Sequence, residues 1–198
     1  MPQSSSITVS INSVMERPNL HPCLPSNFET ENRLVVLMRG LPSCGKSTTA
    51  RHIAGDHGIV IETDAYFQLG PGPENYFFDE EKIDEARAWT LCQFRDALIS
   101  DHSPIVVDRG NGLNHASKQY TDLARDFGYS LRLQEPMSPW WTEIRTLLRY
   151  RPTTDPILEA WADELANLSR KTHFVRATTI LSWMDSWVDD LTIEDICK

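Results

Sequence analysis

The stretch Leu34-Val35-Val36-Leu37-Met38-Arg39-Gly40-Leu41-Pro42-Ser43-Cys44-Gly45-Lys46-Ser47-Thr48 decides the fold. Residues 34–39 are mostly apolar and β-leaning, break at Gly40, and pass through a tight loop into a helix beginning near Lys46. Strand, Gly-x-x-x-x-Gly-Lys-Ser, helix is the context in which this spacing works as a phosphate-binding loop. Gly40 and Gly45 let the backbone turn so that the loop Gly40, Leu41, Pro42, Ser43, Cys44, Gly45, Lys46, Ser47 and Thr48 can wrap phosphate oxygens. The helix N-terminus adds partial positive charge. In this reading Lys46 reaches the β- and γ-phosphates of a nucleoside triphosphate and the Ser47 hydroxyl coordinates Mg²⁺. Cys44 sits inside the loop at a helix N-terminus, where a thiol pKa is expected to fall, so that alkylation would block nucleotide binding. The opposite reading is a small unreactive side chain turned toward the core.

A chain of 198 residues suits one domain with its own core, and 40% hydrophobic with 24% charged residues is ordinary for a soluble protein. The net charge of −9 argues against a broad nucleic-acid surface, although a small basic cleft is compatible with it. The four cysteines show neither C-x-x-C pairing nor metal-ligand spacing, which predicts a reducing compartment. No apolar run approaches the ~18 residues of a membrane span, and residues 1–32 lack a signal-peptide core. The expectation is a soluble, cytoplasmic enzyme.

Residues 1–32 are rich in Ser, Pro and Asn, which predicts a mobile tail with a marginal edge strand over 7–14. The expected domain then spans 33–198. After the first helix, residues 59–62 read as a buried parallel strand that delivers Asp64 at its C-terminal end. Asp79 is placed to cap a helix running to about 100, with Ile83, Ala86, Thr90, Phe94, Ala97 and Leu98 on one stripe and Trp89 as core filler beside it. A third strand over 104–108 ends in Asp108; Asn114 caps a helix to 127, which Gly128 stops; a fourth strand covers 129–134. Strands alternating with helices predict a parallel sheet whose ligands gather beyond the carboxyl ends of the strands. The loop, Asp64, Asp108 and Glu135 all emerge at that edge. Beyond Pro136 the pattern predicts helices over 140–150, 157–171 and 176–188, with a short strand possible at 191–193.

From Leu34 to about Trp187 the chain resembles the P-loop kinases of the polynucleotide 5′-kinase type, in particular the kinase-like domain of NEDD4-binding protein 2 and its small bacterial relatives. The resemblance rests on Arg39-Gly40-Leu41-Pro42 through Thr48, Thr63-Asp64-Ala65-Tyr66-Phe67, Tyr76-Phe77-Phe78-Asp79 and Val107-Asp108-Arg109-Gly110-Asn111. It extends to Tyr120, Gly128-Tyr129, Glu135-Pro136 and Arg170-Lys171-Thr172-His173-Phe174-Val175. It implies an α/β fold: a P-loop NTPase three-layer α/β/α sandwich, with a mostly parallel sheet of four to five strands and a helical lid. The lid, with an insertion, would lie at about 138–175. The resemblance makes Asp64 the general base on the hydroxyl that receives phosphate, Asp108 a residue near Mg²⁺, and Arg170 the lid arginine that neutralises charge on the transferring phosphoryl. Turn- or loop-capping remains the bland reading of both aspartates, and a solvated helix end that of Arg170.

The chain departs from that pattern at Ser43, where the family usually has Gly, at Gly110, where it has Thr, and at Phe67, where phage-type polynucleotide kinases carry a substrate-handling arginine. Three functions stay open at this point: ATP-dependent transfer to a hydroxyl such as an oligonucleotide 5′ end, transfer to a metabolite or antibiotic hydroxyl, and nucleotide binding without transfer. The cluster Arg145, Arg149 and Arg151 falls in the insertion, as solvated surface or as a contact for an anionic acceptor.

Overall fold

The computed structural model describes residues 33–109, 114–170 and 175–198. The expected tail and edge strand, Gly110 and Asn111, and Lys171, Thr172, His173 and Phe174 lie outside the described residues.

Four strands form one parallel sheet: β1 (Leu34–Met38), β2 (Ile59–Glu62), β3 (Ile105–Asp108) and β4 (Ser130–Gln134), in the order β2-β3-β1-β4. The central strand β1 is buried along its whole length because its alternate side chains enter two different cores. Val35 and Leu37 join Ile105 and Val107 under Phe94 of α2 (Ile83–Ile99), Tyr120 of α3 (Asn114–Asp126) and Ile196 near the C-terminus. Leu34, Val36 and Met38 face Ala50 and Ala54 of α1 (Lys46–Ala54). Helices on both faces of the sheet make the three layers of a P-loop kinase-like α/β fold.

The third core is helical. α4 (Pro139–Tyr150), α5 (Pro156–Ser169) and α6 (Ala177–Asp185) pack around Trp141, Ile144, Leu158, Trp161, Leu165 and Ile180. Leu41 and Cys44 of the phosphate loop belong to the same cluster, so this unit forms one wall of the loop. Each proline-led helix starts on a side-chain cap: Ser138 accepts from the Trp141 amide and Asp155 from the Ile157 amide.

Several expectations are corrected. Asp79 caps a 3₁₀ turn (Glu80–Lys82), accepting from the Glu81 amide at 3.0 Å, and α2 itself begins at Ile83. Trp89 is not core filler; it is half-buried, with its ring edge against Tyr66. The helix expected over 176–188 ends at Asp185, where Ser186 turns its hydroxyl back onto the Ser182 carbonyl. The possible strand at 191–193 is instead the entry to a helix, α7 (Ile193–Cys197). Thr192 and Asp195 form a reciprocal capping box there, with Thr192 accepting from the Asp195 amide and Asp195 accepting from the Thr192 amide, which outweighs the β preference of two branched residues.

Candidate functional site

The phosphate loop closes between two glycines, one required by close approach and the other by its left-handed backbone. A Cβ on Gly40 would lie 2.7 Å from Cys44 Sγ and 3.0 Å from Pro136 Cδ. Gly45 has φ 95° and is the cap residue from which α1 starts, its carbonyl accepting from the Thr49 amide at 3.1 Å. Ser43 also takes left-handed backbone, φ 57°, at the position where the resemblance leads one to expect glycine. The loop therefore needs a left-handed residue there, and serine adopts it at a cost of about 1 kcal/mol. Lys46 Nζ donates to the carbonyls of Gly40 (3.0 Å) and Leu41 (2.8 Å), so its charge is held across the mouth of the loop that precedes it. Ser47 is half-buried in the first turn of α1 and Thr48 is exposed.

Cys44 overturns the expectation of a reactive thiol. It is fully buried in the helical core, with Sγ donating to the Leu41 carbonyl. Loss of water pushes the thiol up to about 11, and the nearby Lys46 charge only partly offsets this. The helix-terminus effect on a thiol operates where the sulfur meets solvent, and here the side chain points the other way.

The acidic side of the site is set by strand register. Glu62 pairs with Asp108 across β2 and β3, which sets their side chains beside each other at the carboxyl edge of the sheet. Asp108 is 7% exposed. Asp64 follows within the 3₁₀ turn Thr63–Phe67, and Tyr76 donates its hydroxyl to Asp64 Oδ1 at 3.5 Å. Burial, then the negative neighbours Asp108 and Asp64, push the Glu62 carboxyl above the usual carboxylate range, against an opposing pull from Arg51. The phosphate loop, Asp64 and Asp108 thus lie on one sheet edge. Arg170 is at the exposed C-terminal end of α5, and the residues that follow it in its motif are not described.

Two groups carry more than their sequence positions suggested. Arg39, the residue before Gly40, is 2% exposed. Its guanidinium lies 3.7 Å from the centroid of the Trp187 ring, contacts Glu135 at 3.2 Å, and donates to the carbonyls of Val188 and Asp189. Burial pushes this guanidinium down to about 10 in spite of Glu135. Glu135 is itself engaged by Arg145 at 3.1 Å and by Trp141 Nε1 at 3.1 Å. Arg145 and Arg149 hold Asp189, and Arg149 also holds Asp190 at 2.8 Å, while Arg151 pairs with Asp155 across the turn between α4 and α5. Arg145 and Arg149 are therefore engaged with the C-terminal segment, while Arg151 stays on the exposed surface. Beside it opens a cleft of about 460 Å³ between Glu135, Pro136 and the Arg145, Arg149 and Tyr150 face of α4. A charged residue ending an apolar strand was the visible sign of Arg39; Tyr76 lay in a quoted motif without a role.

Over 110 residues, 54% of this chain, the sequence is 34% identical to NEDD4-binding protein 2 of Homo sapiens, a match covering 6% of that protein. It is 33% identical over 114 residues to 2′,3′-cyclic-nucleotide 3′-phosphodiesterase of Pongo abelii and 32% identical to that of Rattus norvegicus, each match covering 56% of this chain and 25% of the relative. The chain thus spans a small part of the curated relatives it matches. A chain in the solved Pnkp1/Rnl/Hen1 RNA repair complex aligns over 82% of this chain and 47% of its own length, with TM-score 0.48 and 12% identity. No helix among the described residues is long and apolar enough to cross a membrane. A family model described as an AAA domain matches residues 35–180, which takes in the phosphate loop, both aspartates and most of the helical unit, and the chain belongs to that family as a nucleotide-binding, P-loop kinase-like domain.

Proposed function

We propose that this chain is an ATP-dependent phosphotransferase that moves the γ-phosphate to a hydroxyl, with an oligonucleotide 5′-hydroxyl as the leading acceptor. The observation that supports it is the convergence of the phosphate loop, Asp64 and Asp108 on one edge of the sheet. Loop amides and the α1 terminus bind the phosphates, and Lys46 turns from its own loop carbonyls to the β- and γ-oxygens. Asp64 accepts the acceptor's proton as the new P–O bond forms, and the bridging oxygen leaves with ADP. Arg170 supplies positive charge to the transferring group when the lid closes.

The donor set suits Mg²⁺. Among the described residues no three His, Cys, Asp or Glu side chains are grouped to hold a metal alone. Magnesium is usually held by a hydroxyl and one or two carboxylates, with substrate phosphates and water completing the shell. Ser47 and Asp108 match that pattern, and Glu62, in register with Asp108, adds a further carboxylate to that edge. Bound there, magnesium would neutralise charge on the β- and γ-phosphates.

One observation favours a small-molecule acceptor as a second reading. Phe67, where phage-type kinases have a cationic side chain, is 3% exposed and packed between Tyr66, Tyr76 and Phe78, so that position offers no charge to a nucleic-acid backbone. The relatives named as cyclic-nucleotide phosphodiesterases match here over a quarter of their length, and hydrolysis is not carried across from them. Incubation with labelled ATP, Mg²⁺ and a panel of 5′-hydroxyl oligonucleotides tests the proposal. Label on the oligonucleotide supports it. Phosphate released to water without labelled oligonucleotide shifts the acceptor to small hydroxyl compounds, and nucleotide binding without any turnover leaves a regulatory module.

A further inference from the structure

We propose that Tyr76 is a positioning residue for Asp64, its phenol fixing which carboxylate oxygen faces the acceptor hydroxyl. This deepens the reading above and rests on Asp64 being the base. Asp64 stands in a single 3₁₀ turn, Thr63–Phe67, directly after β2. Tyr76 reaches it from twelve residues further along because the intervening chain doubles back. Gln68 and Tyr76 form an antiparallel bridge, the Leu69 amide donates to the Asn75 carbonyl at 2.9 Å, and the Phe77 amide donates to the Phe67 carbonyl at 3.0 Å. The Pro-Gly tip is pinned from inside, Asn75 Nδ2 donating to Pro71 and Gln68 Nε2 to Gly72.

The ring is held as well as the backbone. Tyr76 is half-buried with its edge toward Phe67, which is nearly fully buried and in turn packs on Phe78. This hairpin therefore delivers one hydroxyl to one carboxylate. At 3.5 Å the contact is longer than the ~2.5–3.0 Å of a formed O–H···O bond. Catalytic hydrogen bonds are often long without substrate and tighten in the reacting complex. Burial and the negative charges of Asp64 and Glu62 make the phenol proton hard to remove, so Tyr76 stays a donor throughout. In the transfer step Asp64 takes the acceptor's proton, the acceptor oxygen bonds to the γ-phosphorus, and the bond from that phosphorus to the bridging oxygen breaks. Tyr76 neither gains nor loses a proton.

Tyr76→Phe tests this, since it removes one oxygen and leaves the ring against Phe67. Parent, Tyr76→Phe, Asp64→Asn and the double variant are assayed with Mg²⁺ and labelled ATP, with a 5′-hydroxyl oligonucleotide and with water alone. Nucleotide affinity is followed with a fluorescent ATP analogue, and folding by thermal melting. Tyr76→Phe should lower kcat about ten- to a hundredfold, as for losing a hydrogen bond to a charged group. Acceptor KM, nucleotide affinity and melting temperature should stay at parent values. In the Asp64→Asn background the same change should add little, because the two side chains act as a unit. A Tyr76→Phe enzyme within about twofold of the parent kcat, a full additional loss in the double variant, or a loss carried by KM and melting temperature overturns the positioning role. Those outcomes leave Asp64→Asn deeply impaired. An Asp64→Asn protein at the parent rate, or a parent that releases no phosphate under either condition, overturns the base reading and Tyr76's role with it.

Discussion

Replacing Arg39 should separate the value of its contacts from the cost of its charge. Arg39→Ala removes a guanidinium that is stacked on Trp187, bonded to the Val188 and Asp189 carbonyls and paired with Glu135. The stack is worth about 2 kcal/mol when desolvated. The Asp189 carbonyl keeps Arg145 at 2.8 Å, but the Val188 carbonyl loses the partner seen here, for about 1–3 kcal/mol. Glu135 keeps Arg145 and Trp141, which limits the cost of breaking the ion pair. These losses overlap, and truncation should cost about 3–5 kcal/mol in all. That corresponds to a fall of roughly 6–20 °C in Tm for a domain of this size. The charge itself points the other way. Burial pushes the guanidinium well below its ordinary value, down to about 10, so below pH 10 the charge offsets part of what its contacts contribute. Since the unfolded chain holds that proton more tightly, this unfavourable contribution diminishes as pH rises above about 10. Arg39→Met keeps an apolar stem beside Trp187 without the charge, and should melt within about 4 °C of the parent. Thermal melts of the three proteins without nucleotide decide the matter. An Arg39→Ala protein melting within about 2 °C of the parent would refute the clamp. An Arg39→Met protein as damaged as Arg39→Ala would show that the charge, not the packing, holds the segment.

Lys46→Ala should abolish phosphoryl transfer while leaving the circular dichroism spectrum and melting temperature intact, since Lys46 is the first residue of α1 and lies outside the core clusters; turnover at the parent rate would sink the phosphate-loop assignment. Native Cys44 should resist brief alkylation at neutral pH whether or not ATP is present, because the thiol is buried and titrates near 11; rapid labelling seen by mass spectrometry would contradict that burial. Arg170→Ala should lower kcat by about a hundredfold with little change in ATP affinity, whereas Arg149→Ala should leave kcat near the parent value, its guanidinium being taken up by Asp189 and Asp190. The reverse pattern in steady-state kinetics would move the lid arginine into the 145–151 span.

The parts of the fold that could be read in advance are those whose causes are local. The run from Leu34 into Lys46 carries its strand, turn and helix signals within fifteen residues, and β1, the loop and α1 form where those signals put them. Thr192 and Asp195 were equally local, and the strand reading there overlooked a capping spacing that was already visible. Cys44 is different in kind. Two physical effects compete at its sulfur: the helix terminus and Lys46 favour the thiolate, and exclusion of water favours the thiol. Both are stated by the residues themselves, but their order depends on what covers the loop. The cover is the start of α4, where Ser138 donates its hydroxyl to the Cys44 carbonyl from 94 residues away and Trp141 completes the core around the thiol. Arg39 follows the same logic, because an arginine before the loop could equally face solvent or phosphate. It does neither, since Trp187, Val188 and Asp189 return from the far end of the chain to enclose it. Local pattern thus locates the groups that can do chemistry, while contacts distant in sequence determine which of them water and substrate can reach.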